Sequence, residues 1–287
     1  MSENAEPMKG SPFLFFALTI PISWLIWLPG VLQTFDLLPI TLDDSIFVIL
    51  NVVGGAMPTI LGLLLYYREN GMEKVKQVLL RGVDPRRIGR VWWLVLLFLI
   101  PIMNAGAMFL GILSGGPVPE LTLIQQWWMI PVLFIVGFIP ISNAFREEFG
   151  WRGYAVERLQ SRWSALVTSV IIGIMWGLWH LPLRYFPGGI ELYSNIPLWV
   201  FMINTTTISI MMTWFYNNNK GSILTAVVFH VMLNLTPSIF PFGQTNLGVY
   251  YNMILYAVVA LLIVLFYGYQ TMMRKINEQS SQRYELE

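Results

Sequence analysis

The chain has 287 residues, of which 56% are hydrophobic and 11% are charged, and its formal net charge is +1. Its mean hydropathy of +0.62 excludes an ordinary soluble domain and indicates a polytopic membrane protein, because each spanning helix needs about 20 apolar residues. The absence of cysteine excludes disulfides, thiol catalysis and cysteine-ligated metals. The small net charge, without a basic tail, gives no indication of nucleic-acid binding.

Uncharged runs between the charged residues predict an all-α integral membrane protein with eight transmembrane helices. The runs are continuous rather than alternating, which favours helices over strands. The last run, residues 221–273, is too long for one crossing, so we divide it at residues 240–248, where proline and glycine indicate a turn. The six earlier spans are predicted at residues 10–35, 45–67, 91–119, 121–145, 163–183 and 192–219.

The basic residues predict the orientation of these spans. If both termini are cytoplasmic, sixteen of the 17 lysines and arginines fall in cytoplasmic segments, and only Arg184 falls outside. The longest cytoplasmic loop, residues 68–90, is predicted to form a short amphipathic helix over residues 72–80 and then a turn at Asp84-Pro85. Such a helix is expected to lie on anionic lipid and carries no catalytic implication.

Charged residues follow the fourth predicted span, at Arg146, Glu147, Glu148 and Arg152. A charge near the bilayer centre costs about 3 kcal/mol or more, so ionisable groups at that depth indicate a functional site. The alternative is that the span simply ends here and that its charges are solvated at the interface. The other predicted spans help to decide between these interpretations. They contain the chain's 2 histidines, which both lie in hydrophobic stretches.

Three pairs of residues stand four positions apart, so each pair shares one face of its helix: Glu148 with Arg152, Trp176 with His180, and His230 with Asn234. Glu147 and His180 each lie about 16 residues from the turn at residues 161–164, or roughly 25 Å along antiparallel neighbouring helices. We therefore expect them at one level. His230 reaches this level if the hairpin of the fourth and fifth spans protrudes about 10 Å into the cytoplasm.

These residue types favour hydrolysis by activated water. The sequence has no His-Glu-x-x-His motif, no aspartate within a predicted span and no Gly-x-Ser-x-Gly motif, which argues against the corresponding hydrolase classes. A glutamate can take a proton from water with the help of a histidine, while a second histidine and an amide stabilise the oxyanion. The same side chains, Glu147, His180 and His230, could instead hold zinc.

Three segments resemble the motifs of the type II CAAX prenyl endopeptidase and bacteriocin-processing family, which are Glu-Glu-x-x-x-Arg, Phe-x-x-x-His and His-x-x-x-Asn/Asp. They are residues 147–152, 176–180 and 230–234. Trp176 stands where the family motif often has phenylalanine and keeps an aromatic wall. The resemblance covers residues 127–240, which we take as the protease core of a single domain over residues 1–287.

The resemblance implies an eight-helix intramembrane protease whose site opens toward the cytosol. It assigns a role to each matching position: Glu147 activates water, His180 assists, His230 and Asn234 form the oxyanion site, Glu148 and Arg152 support them, and Trp176 contacts the substrate. Relatives cleave prenylated CAAX-type proteins or other membrane-associated peptides, and both a zinc and a metal-free glutamate mechanism are argued for the family. Expected partners are therefore membrane lipids and a peptide substrate, and no nucleic acid.

Two other functions stay open at the level of the sequence. A catalytically inactive membrane adaptor or immunity protein could keep the same polar residues only to pack its helices. A proton-coupled transporter is the third candidate, because intramembrane carboxylates and histidines can relay protons. A transporter would be expected to show interrupted helices in two related halves, and the sequence has no internal repeat.

Overall fold

The computed structural model describes residues 10–187, 196–245 and 247–273, and these ranges contain helices and no strand. Their α-helices are, in chain order, α1 (Pro12–Thr34), α2 (Asp44–Arg81), α3 (Arg90–Leu113), α4 (Thr122–Gln125), α5 (Met129–Val136), α6 (Asn143–Gly150), α7 (Glu157–Gln160), α8 (Ala165–Trp179), α9 (Leu198–Asn218), α10 (Ile223–Ile239) and α11 (Gly248–Tyr267). The all-α class is thus confirmed for the described part of the chain.

Five of these helices, α1, α2, α3, α9 and α11, are long and apolar enough to cross a membrane. The shorter apolar helices α8 and α10 occupy the predicted fifth and seventh spans. The turn that divides the last apolar run is confirmed by a 3-10 helix at Phe242–Gln244. The count of eight spans and the orientation stay predictions, and the chain termini, with Lys9 and Arg274, lie outside the described residues.

The fourth predicted span, residues 121–145, is wrong as a single helix. The structure divides this segment into α4, α5 and the first residues of α6. Helix α5 ends at Val136 because Pro140, four residues later, has no backbone N–H to donate to it. The hydroxyl of Ser142 instead donates to the carbonyl of Gly137 at 2.6 Å. The apolar run therefore does not carry the charged residues at its end, and these belong to a new helix.

Helix α2 contains both the second span and the predicted amphipathic helix. Gly71, at φ 76° and ψ 174°, breaks the helical geometry between the two parts. Only glycine adopts such a conformation without strain. The second part runs to Arg81, and a 3-10 turn at Pro85–Arg87 follows it. Both the short helix and the turn are thus confirmed.

Helix α6 continues through a π-helical segment, Trp151–Val156, into α7. The far end of this helical stretch is attached to α2 by buried ionic contacts. Arg158 donates to Glu69 at 2.5 Å, and the Tyr154 hydroxyl donates to the same carboxylate at 2.6 Å. These bonds hold the helix that carries Glu147 and Glu148 at a defined position beside α2.

Glycine permits the closest approach between α2 and α6. A Cβ at Gly62 would lie 2.8 Å from the Cα of Gly150, and a Cβ at Gly150 would overlap the carbonyl of Pro58. Small residues allow helix backbones to approach in this way inside membranes. Because α6 also packs against α10, this contact sets the position of both carboxylates relative to the histidine helix.

We expect Gly150→Ala to lower the free energy of unfolding by about 1–3 kcal/mol, because the added methyl group forces α2 and α6 apart. Thermal unfolding of the purified protein in detergent measures the effect. Gly106→Ala in α3 is the matched control, since its Cβ would meet only Leu255 Cδ1, at 3.4 Å. Equal unfolding temperatures for the two variants would contradict the close approach.

Candidate active site

Three helices bring the motif residues into one buried cluster. Glu147 and Glu148 lie on α6, His180 is the C-cap of α8, and His230 lies on α10. Glu147 and both histidines are each 4% exposed, and Glu148 is 0% exposed. The charges are therefore not solvated at the end of a span, as the alternative interpretation of the sequence supposed.

Glu148 joins α6 to α10 through two partners. Its Oε2 pairs with Arg152 Nη1 at 2.9 Å, one helical turn along, and both side chains are fully buried. Its Oε1 lies 2.7 Å from Nδ1 of His230. A carboxylate accepts, so Nδ1 of His230 must carry the proton and donate it. Glu148 thereby selects the tautomer and orientation of the His230 ring, and Nε2 is the nitrogen left for a ligand.

Glu147 is oriented by an indole rather than by a cation. Nε1 of Trp176 donates to Glu147 Oε2 at 2.7 Å. The same indole ring packs edge-on against both imidazoles, at centroid distances of 5.2 Å to His180 and 5.7 Å to His230. The sequence interpretation placed Trp176 against the substrate. In the structure the indole holds Glu147 and also lines a small cavity beside both histidines, so the substrate contact stays a prediction.

His180 is fixed by the end of its own helix. Its Nδ1 lies 2.8 Å from the carbonyl of Trp176, and a carbonyl can only accept, so Nδ1 is protonated. Helix α8 ends here because Pro182 follows, and the residue before a proline disfavours helical geometry. In the neutral ring Nε2 is then the basic nitrogen. A residue that helps to deprotonate water needs such a nitrogen.

Two cavities meet at His180. The larger, about 540 Å³, is lined by Glu147 and His180 together with residues of α1 and α2. The smaller, about 80 Å³, is lined by His180, His230 and Asn234 together with apolar side chains such as Phe201 and Leu233. Asn234 is exposed and lies one turn beyond His230 on the same face. The predicted base and the predicted oxyanion groups therefore face adjoining spaces, with His180 at the border of both.

The zinc alternative can be compared with this arrangement. Within the described ranges, no three histidine, aspartate or glutamate side chains are grouped so that they could hold a metal ion. The bond to Glu148 occupies Nδ1 of His230 and leaves Nε2 for a ligand, and Glu147 accepts from Trp176 with Oε2. In this arrangement Glu147, His180 and His230 are not grouped as a zinc site.

Arg146 is the residue of this cluster to which the sequence assigned no role. It is 8% exposed and lines the larger cavity beside Glu147. Nη1 donates to the carbonyls of Asn51 and Val52 at 3.0 Å each, and Nη2 donates to the Asn143 side chain. Its contact with Asn143 lies within α6, but those with Asn51 and Val52 come from α2 and depend on tertiary packing, which no spacing rule predicts. The indole bond to Glu147 was missed for the same reason.

Comparison with known proteins agrees with the site. Residues 124–236 match the family described as "Type II CAAX prenyl endopeptidase Rce1-like". Over 244 residues the chain is 27% identical to "CAAX prenyl protease 2" of Methanococcus maripaludis, an alignment that covers 82% of this chain and 87% of that protein. The predicted resemblance to type II CAAX prenyl endopeptidases is confirmed. The Rce1-like region includes all three motifs, and with the apolar helices it supports a CAAX-type intramembrane endopeptidase in a multi-pass membrane location.

We expect Arg152→Met to lower the free energy of unfolding by about 3–5 kcal/mol, because it leaves the Glu148 carboxylate buried without its cation. Methionine keeps most of the side-chain volume, so the decrease in the free energy of unfolding reflects the removal of the positive charge. Thermal unfolding in detergent is the measurement.

The control for this prediction is Lys76→Ala, which removes an ion pair to Glu73 whose side chains are 62% and 76% exposed. Exposed pairs contribute under about 1 kcal/mol. If both variants unfold at the temperature of the native protein, Glu148 and Arg152 do not depend on one another.

Proposed function

We propose that the protein is an intramembrane endopeptidase that hydrolyses a peptide bond of a membrane-associated protein with water activated by Glu147 and His180. The observation that carries the proposal is that Glu147 and His180 line one cavity, while His180, His230 and Asn234 line the cavity beside it. Base and oxyanion groups on two sides of a scissile carbonyl are what hydrolysis without a covalent intermediate requires.

The proposed reaction begins with proton transfer from water to Glu147. The resulting hydroxide attacks the carbonyl carbon of the scissile bond and forms a tetrahedral intermediate. The C–N bond then breaks, and the proton passes to the leaving amine, with His180 Nε2 assisting the transfer. One water is consumed, and a carboxylate and an amine are produced. Burial keeps bulk water away from the base, which strengthens each of these interactions.

His230 and Asn234 are proposed to stabilise the developing oxyanion. The Glu148 carboxylate holds Nδ1 of His230, so Nε2 is the nitrogen that faces a ligand and, when protonated, donates to the oxyanion. Asn234 adds an amide N–H one helical turn away. Preorganised donors of this kind contribute factors of about 10²–10³ to the rate. Glu148 and Arg152 act by holding His230 and do not themselves react.

The proposed substrate class is a lipidated, CAAX-type protein or another membrane-associated peptide that is cut near its C-terminus. The name of the Methanococcus relative, "CAAX prenyl protease 2", supports this class. We further propose that the site opens to the cytoplasm, as the distribution of basic residues indicates. The catalytic core proposed at residues 127–240 contains every residue used in these steps.

We expect Glu147→Gln and His180→Ala each to reduce kcat for cleavage of a fluorogenic lipidated CAAX-type peptide, by at least about 100-fold. The assay uses purified protein in detergent, and thermal unfolding checks that both variants fold. Arg86→Gln, which changes an exposed residue paired with Asp84, is the control with native activity. Activity that survives in both site variants would overturn the mechanism. An inactive adaptor would show no cleavage by the native chain and no effect of Glu147→Gln in vivo.

We also propose the metal-free form of the mechanism, because no three histidine, aspartate or glutamate side chains of the described residues are grouped so that they could hold a metal ion. Elemental analysis of the active protein is expected to find zinc well below one equivalent. Chelator treatment should leave cleavage unchanged. Stoichiometric zinc that is lost together with activity, and restored together with it, would establish the zinc alternative instead.

A further inference from the structure

We propose that Arg146 binds a carboxylate of the substrate peptide in the larger cavity and so helps to select where the chain is cut. The inference rests on the proposed function, because it deepens the account of that site. It assigns a ligand chemistry to a residue that the hydrolytic mechanism leaves unused.

The first observation is the charge of the cavity wall. Arg146 is the only lysine or arginine among the described residues that line the 540 Å³ cavity. The acidic side chains there are Glu147, which is the proposed base, and Asp44, which is exposed. An incoming carboxylate therefore meets one positive group in this space, and that group lies next to the catalytic glutamate in the chain.

The second observation is that the guanidinium forms no salt bridge in the described part of the chain, although the neighbouring Glu147 carboxylate acts on it electrostatically. Within the described residues Arg146 makes no ion pair, unlike the buried Arg152 and Arg158. Its neutral acceptors, two backbone carbonyls and an amide oxygen, use both Nη1 protons and one Nη2 proton. Its Nε is buried without a hydrogen-bond partner. A buried cation with unused donors is costly, and a carboxylate is the ligand that repairs this deficit best.

The third observation is the geometry of the unused donors. Nε and Nη2 lie along one edge of the planar guanidinium, and such an edge pairs with both oxygens of a carboxylate. The bonds of Nη1 to Asn51 and Val52 hold the side chain in place, so little side-chain conformational entropy is lost when a carboxylate binds. Arg146 and Glu147 line the same cavity, so a carboxylate held by Arg146 keeps the peptide in the space that the base faces.

The same chemistry can come from the C-terminal carboxylate or from an acidic side chain. The test therefore uses one lipidated CAAX-type peptide in three forms: with a free C-terminal carboxylate, with a C-terminal amide, and with a C-terminal amide after a final aspartate. Equilibrium binding of each form to the detergent-solubilised protein is measured, and cleavage of the same peptides is recorded separately.

We expect the native chain to bind the free acid about 10- to 100-fold more tightly than the amide, as a charge-assisted bidentate bond predicts. Arg146→Gln should abolish this preference, and Arg146→Lys, which keeps the charge but loses the planar edge, should retain part of it. Arg86→Gln should bind as the native chain does. A role of Arg146 in folding alone would change thermal stability and leave the preference intact.

The outcomes separate the two proposals. If the native chain binds acid and amide equally, or if Arg146→Gln keeps the native preference, the inference is overturned. If the preference depends on Arg146 but no peptide is cleaved, the carboxylate site stands and the proposed hydrolysis fails. Tight binding of the aspartate-containing amide identifies an acidic side chain as the source, and weak binding identifies the C-terminal carboxylate.

Discussion

The arrangement of the site depends on the fully buried ion pair between Glu148 and Arg152 and on its extension to His230. Such a pair adds little stability compared with apolar residues, because two charges must be removed from water. Its contribution is geometric. It ties α6 to α10 and fixes which nitrogen of His230 carries a proton. The proposed oxyanion group is thus oriented by a residue that does not react.

Charge balance explains why four ionisable residues can occupy one short helical stretch. Arg146 and Arg152 carry two positive charges against the two carboxylates of Glu147 and Glu148. Only the Glu148–Arg152 pair is joined directly, so Glu147 and Arg146 are each held by neutral groups. A carboxylate that is held by an indole and has no salt bridge among the described residues suits a general base. A guanidinium in the same condition suits an anion site in the same cavity.

The helix that carries these charges also illustrates how far a sequence pattern reaches. The run over residues 121–145 has the composition of a span, yet Pro140 prevents one continuous helix and α6 begins afresh at Asn143. The predicted depth of Glu147 was counted in residues back from the turn at residues 161–164, and the structure is helical over that stretch, so the break at Pro140 does not affect the count. Glu147 and His180 line one cavity, and glycine contacts with α2 hold α6 at this position.

By itself, the sequence determined the all-α membrane class, the spacing of the three motifs and the family resemblance, since these follow from composition and local periodicity. Only the tertiary structure decided that Trp176 holds Glu147, that His230 joins Glu148, and that Arg146 lines the cavity without a salt bridge to any described residue. The physical reason is that each of these contacts joins different helices. Their formation depends on the close approach of α2, α6, α8 and α10, which periodicity within one helix does not encode.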